Sequence, residues 1–367
     1  MQKLKVFTLA FLSFLPSTAQ ALNAITPAFA LTLEHVRNLD GGVDQGSRSL
    51  ASADFTLTVD TAAAGLWQGG EFFGYLLANY GGDPSELVGD VQGMSNIAAA
   101  DETKLYELWY QHSFFDGQLK TLLGLHDYNA VFYSLDSAAL FTHPSFGIGP
   151  ETSQVGPSIF PTTAVAALLS VELENYYAHL AVYDGVPGHP DGRRGTYIRF
   201  EEGEGVFRAG ELGMKTEAYK IGVGVWQHNA LVENPVNSEM HRDNQGLYLI
   251  AEYQWFEDLA FFLQAGFADQ DVNQLESYYG LGGVYTDVWL AGDALGLAVA
   301  LAQNGDAFLQ LNLASEQKET SWELSYAMPL HDRVMLQGSA YYVNNPSMDP
   351  TLDNAFALGF RLMFSLE

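Results

Sequence analysis

The chain has 367 residues, 48% of them hydrophobic and 13% aromatic, with 23 Phe, 19 Tyr and 6 Trp. Its 44 acidic against 16 basic residues give a formal charge of −28, which excludes nucleic-acid binding by counterion release and leaves no polybasic face for an anionic membrane surface. With no cysteine, a disulfide framework, thiolate metal ligation and a cysteine nucleophile are also excluded.

The first element in chain order is a secretory signal. Lys3 and Lys5 form a positive start, residues 6–15 are apolar but too short to span a bilayer, and Ala19-Gln20-Ala21 is a small-x-small cleavage site. Residues 1–21 are therefore expected to be removed, which takes the charge to −30, and residues 22–367 to form one exported domain. No cysteine follows the cleavage site to carry a lipid, and no later apolar run is long enough to cross a membrane as a helix.

Beyond residue 21 the pattern is two-residue alternation in segments of about ten residues, the signature of a transmembrane barrel. The segments are 30–37, 53–60, 71–80, 104–115, 119–127, 164–174, 176–184, 206–215, 218–228, 246–255, 259–268, 278–286, 293–302, 320–328, 333–343 and 354–364, an even sixteen. Residues 195–200 are a further candidate. In the last segment Phe356, Leu358, Phe360, Leu362 and Phe364 share one face, while Ala355, Ala357, Gly359, Arg361 and Met363 share the other. Such a strand has a lipid side and a lumen side. Short turns such as Asp116-Gly117 and Glu257-Asp258 alternate with longer links at 38–52, 81–103, 128–163, 185–205, 229–245 and 344–353, as in outer-membrane barrels. The expected fold class is a single all-β antiparallel barrel with long extracellular loops, one of them folded inward.

That inward loop is assigned to residues 128–163, far longer than an ordinary connection. It carries Phe132, Phe141, Phe146 and Phe160 with few charges beyond Asp136 and Glu151. Apolar content of this kind favours packing inside the barrel, so Asp136, Phe141, Phe146, Glu151 and Phe160 are the candidate constriction residues. The acidic excess is expected on solvated loops.

Several motifs together resemble the OprB family of carbohydrate-selective porins. They are LYELWYQHSFFDG at 105–117, Ser145-Phe146-Gly147, Gly156-Pro157-Ser158-Ile159-Phe160-Pro161, Ala181-Val182-Tyr183-Asp184-Gly185, Trp226-Gln227-His228, Asn344-Asn345-Pro346 and Leu358-Gly359-Phe360-Arg361-Leu362. Their order and spacing extend the resemblance over nearly the whole chain after the signal. It implies a sixteen-stranded barrel with inward loops, passive diffusion of sugars, and a monomer with a trimer as the alternative. Two departures stand out. His126 stands where the family has a basic constriction residue, and Phe364 is followed by Ser365-Leu366-Glu367 instead of ending the chain.

A sugar offers hydroxyls and an apolar ring face, so a sugar pore needs hydrogen-bonding groups and aromatic planes. Inward parity supplies Glu107, Trp109, Gln111, Lys120, His126, Lys220, Trp226, His228 and Arg361 as candidate pore-lining residues. The nine histidines show no metal-ligand spacing, and Asp40, Asp44 and residues 184–191 lack a full oxygen-ligand loop, so neither metal nor cofactor is expected. No nucleophile elbow or phosphate loop occurs, and the chain is not expected to be an enzyme. Expected partners are small sugars in the pore and outer-membrane lipid and lipopolysaccharide around it. The competing classes are a general or cation-preferring porin and a structural or adhesin barrel with a plugged lumen.

Overall fold

The computed structural model describes residues 24–188, 196, 198, 203–241 and 244–366. The signal at 1–21, His189 and most of the 195–200 candidate strand lie outside the described residues.

Sixteen strands close into one antiparallel barrel. They are β1 (Ile25–Gly42), β2 (Gly46–Asp60), β3 (Gly70–Gly81), β4 (Glu102–Phe114), β5 (Leu119–His126), β6 (Ala164–Leu173), β7 (Tyr176–Asp184), β8 (Val206–Lys215), β9 (Tyr219–His228), β12 (Asn244–Phe256), β13 (Leu259–Ala268), β14 (Leu275–Thr286), β15 (Ala294–Asn304), β16 (Lys318–His331), β17 (Val334–Asn344) and β18 (Asp353–Leu366). A two-residue hairpin, β10 (Val232–Glu233) with β11 (Met240–His241), sits in the 229–243 link outside the barrel. Each strand pairs with its neighbours in sequence, and β1 closes the ring on β18 from Phe29↔Leu366 to Gly42↔Asp353. Closure pairs every strand edge, which a bilayer demands of exposed backbone.

The start of β1, the end of β18 and the short links (61–69, 115–118, 174–175, 216–218, 257–258, 287–293 and 332–333) share one rim. The longer links at 82–101, 127–163, 185–205, 229–243 and 305–317 share the other, which is the extracellular rim of an outer-membrane barrel. The first expected loop, 38–52, is a correction. β1 and β2 run to Gly42 and from Gly46, so only residues 43–45 connect them. The turn-rich residues there bulge at Asn38/Asp40 and Asp40/Gly42 without breaking the ladder, and the Asn38 amide ties Gly41 O and Asp44 O together. The residues after Phe364 also pair: Ser365 lies opposite Ala30 and Leu366 opposite Phe29.

Parity separates lipid from lumen as the alternation requires. In β9, Ile221, Val223 and Val225 are exposed, while Gly222, Gly224 and Trp226 are buried. The largest apolar core lies inside the barrel, where loop residues Tyr128, Phe132, Tyr133, Phe141 and Phe146 pack on Tyr183, Phe207, Trp226, Tyr248, Phe262 and Tyr278 of the wall. Burying one such ring contributes about 1.5–3 kcal/mol, so this packing offsets part of the cost of ordering a long connection.

Candidate functional site: the lumen and its inward loops

The 127–163 loop crosses the lumen because wall side chains satisfy its backbone. Glu323 on β16 accepts N–H groups from Thr142 and His143, each at 2.9 Å. Glu211 on β8 accepts from Tyr133 N at 3.0 Å, and Glu252 on β12 accepts from Ser137 N at 2.9 Å and the Ser137 hydroxyl at 2.8 Å. Carbonyls are served in turn. Gln264 Nε2 donates to Phe146 O, Tyr278 Oη to Ser145 O, Gln337 Nε2 to Leu140 O and Lys220 Nζ to Ser134 O. A buried backbone group without a partner costs about 1–3 kcal/mol, so these contacts set the path of the loop.

A second loop, 82–101, also folds inward, where the sequence reading had only one. Val91 N and Gln92 Nε2 donate to Glu319 on β16, and the Ser95 hydroxyl donates to Glu34 on β1. Val88 and Met94 pack on Val36, Tyr341 and Val343. Ser145 Oγ bonds Gln92 O and Gln92 Oε1, so the two loops touch.

These contacts revise the expectation that the acids are solvated. Glu34, Glu107, Glu151, Glu211, Glu319 and Glu323 are all buried. Glu151 sits on the inward loop with its Oε1 accepting from the Tyr133 and Thr152 hydroxyls, and burial pushes its carboxyl up to about 7. Asp127, at the start of the loop, is pushed up to about 6 by burial, offset by the Tyr106 hydroxyl at 2.5 Å and the Asn129 N–H. Burial lowers His143 to about 3, so the imidazole is neutral.

Filling is one-sided. Toward the short-turn rim, inward residues of the far wall such as Phe262, Val284 and Ala327 are buried, as are Ser52, Leu77 and Asn79 at the long-loop end of β2 and β3. On β2–β4 the inward Asp54, Glu71, Phe73, Trp109 and Gln111 remain partly exposed. Phe73 and Trp109 stack with centroids 4.8 Å apart and planes 22° apart. Trp109 Nε1 donates to Glu107 at 2.7 Å, which holds the indole in place. Lys120 pairs with Glu172 at 3.0 Å lower on the same side.

Of the residues expected to line the pore, Trp109, Gln111, Lys120 and Lys220 keep solvent contact on the lumen side. Glu107, His126, Trp226, His228 and Arg361 also point inward but are buried. Trp226 donates its indole N–H to Thr152 of the loop, and His126 Nδ1 lies 3.0 Å from the Tyr183 hydroxyl. Arg361 pairs with Glu34 and Asn96, each at 2.7 Å. In the loop, Phe141, Phe146 and Glu151 are buried, Phe160 is half-buried, and Asp136 is exposed and pairs with Lys215 at 3.2 Å. Phe73, Asp54 and Glu71 were missed. Phe73 and Glu71 lie opposite Trp109 and Gln111 across the β3–β4 ladder, whereas Asp54 lies opposite Leu77 and accepts the Tyr75 hydroxyl.

A family model described as "Carbohydrate-selective porin, OprB family" matches residues 44–366. The chain belongs to the OprB family. It is accordingly a sugar-transporting outer-membrane porin, a channel in family and fold alike. Among solved structures, the high-pH structure of Pseudomonas putida OprB matches with a TM-score of 0.83 at 16% identity, covering 95% of this chain and 96% of that one. The low-pH structure of the same protein matches at 0.63 and 14% identity, with 95% of each chain covered. The outer-membrane channel DcaP of Acinetobacter baumannii matches at 0.60 and 8% identity, covering 93% of this chain and 97% of that one. At these identities the likeness is one of fold. No curated protein matches the chain by sequence.

Proposed function

We propose that sugars pass along the β2–β4 wall, over the Phe73–Trp109 stack, while the two inward loops close the rest of the lumen. The observation that carries this reading is the one-sided filling: the Phe73–Trp109 stack stays partly exposed where the facing wall is buried. An aromatic plane takes the apolar face of a pyranose ring, and Gln111, Glu71 and Asp54 beside it exchange hydrogen bonds with its hydroxyls. Asp136, Phe160, Lys120 and Lys220 border the same passage, and the buried members of the candidate set act by holding the loops. Residues 1–21 serve as a cleaved export signal. All sixteen barrel strands carry exposed large apolar residues, which supports a monomer surrounded by lipid.

Ion traffic through the same path is cation-preferring. Glu71 and Asp54 face it, whereas Lys120, Lys215 and Arg361 are each paired with a carboxylate and Lys220 holds a loop carbonyl. The test is current block in planar bilayers by glucose and short oligosaccharides, with wild type and Trp109→Ala compared. Block that weakens several-fold in the variant supports the path; equal block in both removes Trp109 from it. Reversal potentials under a salt gradient read the cation preference.

A further inference from the structure

The outer surface of the barrel carries a feature that sugar passage does not use. Arg208 on β8 lies opposite Gln227 on β9, and Gln227 lies opposite Gln245 on β12. All three point outward, since their neighbours Phe207 and Trp226 face the lumen core. They stand at the extracellular ends of their strands: Arg208 is the third residue of β8, Gln227 the last but one of β9, and Gln245 the second of β12. Arg208 Nη1 donates to Gln227 Oε1 at 3.4 Å.

The next outward rung is apolar. Leu180 lies opposite Gly210, Gly210 opposite Val225, Val225 opposite Leu247 and Leu247 opposite Phe267. Leu180 Cδ2 lies 3.2 Å from where a Gly210 Cβ would stand, and a groove of about 750 Å³ is lined by both the polar and the apolar rung. Asp269 closes one end of it and accepts the Asp271 N–H of its own turn. Among the described residues no carboxylate forms an ion pair with Arg208, although the chain holds 44 acids and Lys104, Lys120, Lys215 and Arg361 each have one.

We propose that this groove binds a phosphorylated lipid of the outer leaflet, with the phosphate on Arg208, Gln227 and Gln245 and an acyl chain over Leu180, Val225, Leu247 and Phe267. The sidedness rests on the outer-membrane reading of the barrel. A guanidinium at the edge of the hydrocarbon layer needs an anion, and its planar donors match a phosphate in bidentate geometry. The amides supply further donors, and the groove supplies apolar contact through Leu180, Val225, Leu247 and Phe267. Lipopolysaccharide has this chemistry, with phosphate at the interface and acyl chains below.

The test is a native mass-spectrometric titration of the folded full-length protein in detergent with short-chain lipopolysaccharide and with its dephosphorylated form. Heat-modifiable gel mobility confirms folding of each variant. Arg208→Ala should weaken lipopolysaccharide binding about tenfold, the scale of one charge-assisted hydrogen-bond pair. It should have no effect on the dephosphorylated lipid. Leu180→Trp, which fills the groove without touching the charge, should weaken both lipids. Arg333→Ala removes an exposed cation at the opposite, short-turn rim and should change neither. Binding by Arg208→Ala within twofold of wild type overturns the proposal. So does a dimer that dissociates in Arg208→Ala at unchanged lipid load, because the groove is then an interface between two copies. Sugar block is read separately, so failure here leaves the pore reading untouched.

Discussion

Glu323 on β16 grips the inward loop, accepting Thr142 N and His143 N through separate oxygens and the Thr142 hydroxyl at 2.9 Å. A strand carboxylate thus does for the loop what a helix cap does for a helix end. Glu323→Ala should strand two buried N–H groups at about 1–3 kcal/mol each and release the loop tip. Single-channel recordings should show higher and noisier conductance. Deleting residues 137–155 should raise conductance further, and an unchanged value in the deletion would remove the loop from the constriction.

Gly266 on β13 is the seat of Glu151. A Cβ there would stand 1.8 Å from Glu151 Oε1 and 2.8 Å from the Tyr133 hydroxyl. Gly266→Ala should therefore lift the loop and destabilise it by about 1–3 kcal/mol, the usual cost of overpacking. Limited proteolysis of the folded barrel should then cut within 127–163 faster than in wild type.

Buried acids and a buried histidine in the same loop titrate with opposite effect. Burial raises Glu151 from 4.5 to about 7, so its contribution to docking is full below 4.5 and is lost as pH rises through 7. Asp127, raised from 3.8 to about 6, acts in the same sense over a lower window. His143 is lowered from 6.5 to about 3, so its contribution is full above 6.5 and is lost as pH falls towards 3. A His143→Gln variant should undock as pH rises from 4.5 to 7, and a Glu151→Gln variant should undock mainly as pH falls below 6.5. Protease sensitivity of the loop against pH reads both; parallel profiles for the two variants would contradict these assignments.

Arg361 and Glu34 form a buried pair at 2.7 Å, and the same guanidinium holds Asn96 of the 82–101 loop. Removing the cation alone leaves a buried carboxylate. Arg361→Ala should cost about 3–5 kcal/mol, and the double variant with Glu34→Ala should recover much of it. Denaturant unfolding in detergent micelles measures both, and a double variant no better than the single one would show that the pair is not the source.

Much of the barrel was legible because alternation is a local property of the chain. Phe356 to Phe364 declare a lipid face within one segment, and the observed β18 extends that segment by one residue at its start and two at its end. The turn-rich stretch at 38–52 misled because composition there matches a loop, whereas the cross-strand ladder runs through it. The 127–163 loop announced itself through its phenylalanines. The 82–101 loop has no aromatic residue, and nothing local distinguishes it from a solvated connection.

The amino-acid order alone thus determined the sixteen strands, the parity of the regularly alternating segments and one inward loop. Only the tertiary structure decided which inward residues meet the pore. Trp109 and Trp226 have the same parity and chemistry, yet one is part of an open stack and the other lies under Thr152. The difference comes from carboxylates such as Glu211 and Glu323, which accept backbone N–H groups distant in sequence, and pairings of that range leave no trace in local pattern.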